Sequence, residues 1–233
     1  MTAETTFDAT SDTLANLLNE VAAGRLQLPD FQRGWVWDDE HIAAVITSVA
    51  RSFPIGAVMT LQTGGEVRFK ARPVEGAVFP GEPPKPERLI LDGQQRLTSM
   101  FQALMLGHAI RTYDGKRRFA DVFYYMDIAK ALGTAEEREQ AVFSIPAGKK
   151  ISRDFGREVV LDLSTQEHEF LNRCFPLNMV FSSDEWFTGW MKHWNYAPVE
   201  IELFNRFRSE FIDTFKSYSP VLFTRNARSK PNR

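Results

Sequence analysis

A chain of 233 residues, 43% of them hydrophobic and 25% charged, can bury one sizeable core, while its net charge of −2 excludes polyanion binding through a global basic field. The single cysteine, Cys174, excludes an internal disulfide, and no Cys/His grouping has the spacing of a structural zinc site. The opening "MTAETTFDATSDT" lacks the basic start and apolar centre of a secretory signal, and no apolar run approaches the roughly 20 residues that span a bilayer, so a cytoplasmic protein without membrane contact is expected.

Leu14, Leu17, Leu18 and Val21 recur at helical spacing after the capping candidates Ser11 and Asp12, with Gly24 as a stop. The stretch "LPDFQRGWVWDDE", Leu28 to Glu40, reads as a loop that leads into a second helix. Asp38 is its cap, Asp39 and Glu40 suit its positive end, and Ile42, Val45, Ile46 and Val49 form its core face as far as Phe53-Pro54. "AVMTLQT" and "EVRFKARPV" read as strands joined by a Gly64-Gly65 hairpin, and the proline-rich "FPGEPPKPE" as an exposed loop. "RLILD" is a short buried-type strand, "GQQR" a turn, and "LTSMFQALMLG" a helix with Leu97, Met100, Phe101 and Leu104 on one face.

Beyond Arg118 the chain predicts a strand at "FADVFYYMDI", a polar helix around "TAEEREQ", and strands at "VFSIP" and "EVVLDL". Helices follow at "STQEHEFLNRCF", at Asp184 to Trp194, and over a long segment carrying Phe204, Phe207, Phe211 and Phe215. An apolar strand at "SPVLFT" precedes a basic tail. The division expected is residues 1–130 as one domain and 131–233 as a mostly helical subdomain.

The strand-turn-helix around "LILDGQQRLTSM" carries the sharpest chemistry. A helix that opens directly after a strand presents free N–H groups and a positive dipole end, which suits an anion. Gly93 permits close approach of a ligand, Arg96 adds a forked cation suited to phosphate, Asp92 can hold a metal ion or orient a water, and Gln94 and Gln95 both donate and accept. An ordinary Asp-Gly turn, with Asp92 and Gln95 capping the helix and Arg96 in a surface ion pair, has the same spacing. In the opening loop, Phe31, Trp35 and Trp37 offer stacking or core surfaces, and Gln32 and Arg33 suit a base edge or a phosphate. Core packing is the plainer role for Trp37, as the residue before the cap. No packing role or turn requires Arg33.

Together, "LPDFQRGWVW" and "LILDGQQRLTSMFQAL" resemble the N-terminal domain of GmrSD-type modification-dependent restriction systems, which is related to the ParB and sulfiredoxin nucleotide-binding fold. The resemblance covers residues 14–106, including "FPIGAVMTLQ", and is general beyond them, through "YSPVLFT". It implies an α+β fold, a small mixed sheet with helices followed by a mostly helical C-terminal region. It also implies binding and hydrolysis of a nucleoside triphosphate with Mg2+, coupled to sensing of modified DNA in antiphage defence. The family's Gln-Arg motif falls on Gln32 and Arg33, and its Asp-Gly-Gln-Gln-Arg motif on Asp92, Gly93, Gln94, Gln95 and Arg96. The catalytic residues implied are Asp92, Gln95 and Arg96, with Asp92 as metal ligand. The nucleotide falls to Gln32, Arg33, Gly93, Gln94 and Arg96, and DNA sensing to Phe31, Gln32 and Arg33.

In sulfiredoxin-like relatives the turn carries a cysteine and a histidine where Gln94 and Gln95 stand here, so thiol chemistry is excluded. "FTRNAR" departs from the Phe-x-Arg-x-Asn motif that usually follows in the family, and many members continue into an HNH nuclease domain. The chain is therefore expected to be shortened relative to the family, not to cleave DNA by itself, and to work with an HNH nuclease domain or subunit. A DNA-binding or adaptor module that keeps the fold without turnover is the rival reading.

No other nucleotide or nuclease signature competes. "AGKK", Ala147 to Lys150, lacks the upstream glycine and following hydroxyl of a P-loop and reads as a loop. Lys149, Lys150, Arg153 and Arg157 suit a solvated face better than a phosphate backbone. Trp186, Trp190 and Trp194 share a helical face, the pattern of a core or partner interface. The four histidines are scattered, and no H-N-H arrangement or carboxylate cluster appears.

Overall fold

The computed structural model describes residues 8–64, 69–154 and 157–225. Strand β1 (Asp8–Thr10) is followed by α1 (Leu14–Ala22), whose Leu14, Leu17, Leu18 and Val21 are all buried. Thr13, rather than Ser11 or Asp12, caps α1, its side chain accepting from the Asn16 N–H. Then come β2 (Leu26–Pro29), α2 (Asp39–Ala50), β3 (Val58–Gln62), β4 (Ala71–Arg72), β5 (Arg88–Asp92) and α3 (Gln94–Met105). Asp38 caps α2 as the sequence predicts.

One six-stranded mixed sheet runs β1-β12-β3-β5-β2-β4, where β12 is Leu222–Arg225 near the described end of the chain. The hairpin expected at Gly64-Gly65 does not form between the described strands, and residues 65–68 lie outside those described. The reason is competition: β3 is paired on one side with β12 and on the other with β5, which leaves β4 to pair with β2. A local Gly-Gly signal yields to two long-range pairings.

The second sheet is built on β7 (Phe119–Asp127), which pairs with β6 (Ile110–Tyr113), β8 (Val142–Pro146) and β11 (Cys174–Pro176). The short helices α4 (Ile128–Ala131) and α5 (Ala135–Glu139) lie between β7 and β8. Helix α5 is the expected polar helix, opened by a Thr134/Glu137 capping box. Strands β9 (Lys150–Arg153) and β10 (Glu158–Asp162) form a two-stranded ribbon, and residues 147–149 of "AGKK" form the loop the sequence predicts, between β8 and β9. Lys149 departs from the solvated face: its Nζ lies 4.8 Å from the Phe123 ring and 3.6 Å from Glu169.

Helix α6 (Gln166–Leu171) ends earlier than the predicted "STQEHEFLNRCF" helix, because Cys174–Pro176 leave it to pair with β7 as β11. A 3-10 segment leads into α7 (Ser183–His193), and α8 (Pro198–Phe207) continues through a π-helical turn at Arg208–Ile212 into α9 (Asp213–Ser217). Trp186 and Trp190 are fully buried and stack at 5.4 Å, with Phe170 and Phe175 edge-on to Trp186 at 4.9 and 5.0 Å. Elements on both sides of residue 130 share one hydrophobic core cluster, and β12 returns from the helical half to the first sheet. Each fully buried leucine or phenylalanine in that cluster contributes about 2 kcal/mol. Among the described residues no helix is long and apolar enough to cross a membrane.

Candidate functional site

The two motifs meet because of one pairing. Strands β2 and β5 are parallel neighbours, Leu26 opposite Arg88 and Gln27 opposite Leu89, so the chain leaves both at the same edge of the sheet. The loop after β2 carries Phe31, Gln32 and Arg33; Asp92 ends β5, and Gly93 links it to α3. Carboxyl ends of adjacent parallel strands are where open α/β sheets take ligands.

Helix α3 begins at Gln94, so the glutamines and Arg96 belong to its first turn and not to a preceding turn. Gly93 sits at the N-cap with φ of 88°, a left-handed conformation, and a Cβ there would come within 3.1 Å of Val58 Cγ2. Glycine supplies no side chain to cap the helix, and among the described residues the first-turn N–H groups have no side-chain partner.

The glutamines bind the other loop. Gln94 Nε2 donates to the Arg33 carbonyl at 2.7 Å, Gln95 Nε2 to the Gly34 carbonyl at 3.1 Å, and Gln95 Oε1 accepts from the Val36 N–H at 3.0 Å. Gln32 points back, its Nε2 donating to the Ile90 and Leu91 carbonyls at 2.8 and 3.0 Å, while its buried Oε1 has no partner among the described residues. Each motif thus holds the other's backbone.

Two residues without motif status complete the seam. Arg72 donates to the Gln32 and Arg33 carbonyls at 3.3 and 3.2 Å, and Glu75 Oε1 accepts from Arg72 at 2.9 Å and from the Trp35 N–H at 3.1 Å. Trp35 Nε1 donates to Ser99 Oγ on α3 at 2.9 Å. An Arg-Glu pair three residues apart is ordinary in sequence, so only the fold reveals its place. Trp35 and Trp37 pack against the core, whereas Phe31 is 62% exposed and meets Phe69 edge-on at 5.1 Å.

This wiring leaves Arg33 and Asp92 outermost, with Arg96 half-buried beside them. Arg33 is exposed, and its guanidinium makes no hydrogen bond or ion pair among the described residues. Arg96 donates to the Ile55 carbonyl and lies 3.4 Å from Asp92 Oδ2, and the Asp92 side chain is 63% exposed. The described residues hold no grouping of three or more His, Cys, Asp or Glu that could cage a metal. A lone exposed carboxylate fits Mg2+ that arrives with phosphates, since that ion is commonly held by one or two carboxylates plus substrate oxygens.

The fold and site therefore define an α+β domain with an anion-suited helix terminus braced by a second loop. The chain matches the GmrSD restriction endonuclease N-terminal domain over residues 14–227 and belongs to that family. It is also similar to an uncharacterized protein of Methanocaldococcus jannaschii, 29% identical over 197 residues that make up 82% of this chain and 32% of the relative. The chain spans about a third of that protein's length.

Proposed function

We propose that this domain binds and hydrolyses a nucleoside triphosphate at the α3 N-terminus, and that turnover is coupled to recognition of modified DNA in a restriction system. The observation that carries the reading is the convergence of three features at one sheet edge: the first turn of α3 with its glycine N-cap, the Arg96 guanidinium, and Arg33, unpaired among the described residues.

The first-turn amides and Arg96 receive the phosphates, where fixed donors stabilise charge as it shifts in phosphoryl transfer. Asp92 would hold Mg2+ at the phosphates, and the ion would supply neutralisation of their negative charge. In hydrolysis the water oxygen bonds to the γ-phosphorus, the bond from that phosphorus to the β–γ bridging oxygen breaks, and the nucleoside diphosphate, inorganic phosphate and a proton leave. Both polar ends of the Gln95 amide are engaged by the opposite loop, so orientation of the water falls to Asp92. Phe31 and Arg33, exposed on a braced loop, face the DNA. Nuclease action belongs to a partner domain or subunit.

The test is phosphate release from GTP and ATP with magnesium, for the chain and for Arg96→Ala, with and without modified DNA. Release that disappears in Arg96→Ala supports the reading; nucleotide binding without release replaces it with a non-hydrolytic DNA-binding or adaptor module. Arg33→Ala should lose any stimulation by DNA.

A further inference from the structure

The Arg96 guanidinium rests on the turn between α2 and β3. Its Nη1 donates to the Ile55 carbonyl while Nη2 faces Asp92, so the group spans from the turn to the site. Gly56 makes room for it: a Cβ there would stand 2.5 Å from Nη1, and the φ of 85° is itself one that other residues resist.

The turn is fastened by one remote side chain. Tyr218 Oη donates to the Phe53 carbonyl at 2.8 Å and accepts from the Ile55 N–H at 3.2 Å. The same hydroxyl thus touches both faces of the turn on which Arg96 sits. Burial pushes the Tyr218 phenol up, against smaller opposing effects of the Ile55 N–H and the Arg96 charge, so its proton remains available to Phe53. The backing is firm as well. The Tyr218 carbonyl accepts from the Leu14 N–H at 2.7 Å, and Val58 N–H donates to the Val221 carbonyl at 2.8 Å, tying this segment to α1 and β3.

We propose that Tyr218 is a positioning residue for Arg96, closing the Phe53–Gly56 turn so that the Ile55 carbonyl holds the guanidinium at the mouth of the site. The proposal rests on the reading that Arg96 meets phosphate. It also gives the helical half a route to the site, because Tyr218 directly follows α9.

The experiment uses the full chain and the variants Tyr218→Phe, Gly56→Ala and, as a control, the exposed Tyr196→Phe. Three quantities are read: the backbone amide spectrum for folding, the Arg96 side-chain N–H resonance assigned with Arg96→Lys, and affinity for inorganic tripolyphosphate. Tyr218→Phe should keep the folded spectrum, move the Arg96 resonance and speed its solvent exchange, and weaken tripolyphosphate about tenfold, the weight of one hydrogen bond to a charged group. Tyr196→Phe should change none of these. An Arg96 resonance unmoved in folded Tyr218→Phe overturns the proposal. Should Tyr218→Phe not fold, Gly56→Ala decides: it intrudes on the seat directly, and an unmoved Arg96 there overturns the proposal too. If the unaltered chain does not bind tripolyphosphate, the phosphate reading fails, while the Arg96 resonance still decides the role of Tyr218.

Discussion

At the seam between the opening loop and α3, Gln32, Arg72, Gln94 and Gln95 each bind backbone carbonyls of a partner segment. Between α6, α7 and α8, by contrast, Phe170, Trp186, Trp190 and Phe204 fill a common volume with rings 4.9 to 6.2 Å apart. Apolar packing depends on summed shape and area, so it resists small displacements and tolerates changes of similar volume. A seam of directed hydrogen bonds tolerates neither. The protein places rigidity of position, not bulk, where it exposes Arg33 and seats Arg96.

The largest effect should come from the packed half. Trp190→Ala removes a fully buried indole and should cost about 4 kcal/mol in urea unfolding. A loss below about 1 kcal/mol would show that the aromatic layer is not the main anchor of this half. Next comes a buried carboxylate beside that layer. Glu169 accepts from Tyr125 Oη at 2.7 Å and from Trp186 Nε1 at 3.0 Å, with Lys149 Nζ at 3.6 Å, so Glu169→Ala should cost about 3 kcal/mol by leaving those donors unmet. Glu169→Gln keeps an acceptor and should recover part of the loss; equal losses would mean that charge, not hydrogen bonding, dominates there.

The seam should respond differently, with function falling further than stability. Gln94→Ala removes one bond to the Arg33 carbonyl, which Arg72 also contacts, so unfolding should shift by only about 1 kcal/mol. Any DNA-stimulated release should fall well beyond that, because the Arg33 carbonyl loses its bond to α3 while only its neighbours Gly34, Trp35 and Val36 stay tied. Parallel losses of stability and stimulation would erase the contrast between the two regions.

The two halves were also unequally legible in the sequence. The aromatic helices declare themselves by periodicity, and Trp186, Trp190, Phe204 and Phe207 are buried as their spacing predicts. The motifs declare themselves by residue type, but what their side chains touch does not. Gln94 and Gln95 look like ligand-facing amides until the parallel pairing of β2 with β5 brings the other loop within their reach. Arg72, Glu75 and Tyr218 carry no local signal, since their partners stand 39 to 165 residues away for every contact that fixes the loop or the turn. β2 and β11 escape for another reason: they are short and buried along their whole length, with no alternation to mark a strand.

The smallest expected effect lies where the seam meets α2. Asp38 caps that helix one residue after Trp37, and the His41 N–H, then the His41 ring, hold its carboxyl below the usual aspartate range. Asp38→Ala should cost about 1 kcal/mol, the ordinary worth of such a cap. The charge is separable from the cap, because asparagine caps nearly as well without ionising. A carboxyl with a depressed folded pKa contributes stability that is complete above its unfolded pKa and lost as pH falls through the folded value. The gap in melting temperature between the unaltered chain and Asp38→Asn should therefore be widest near about pH 6 and close toward about pH 3, as the wild-type carboxyl takes up its proton. A gap that stays constant across that window would assign the whole contribution to the neutral cap, and the loop's junction with α2 would owe nothing to charge.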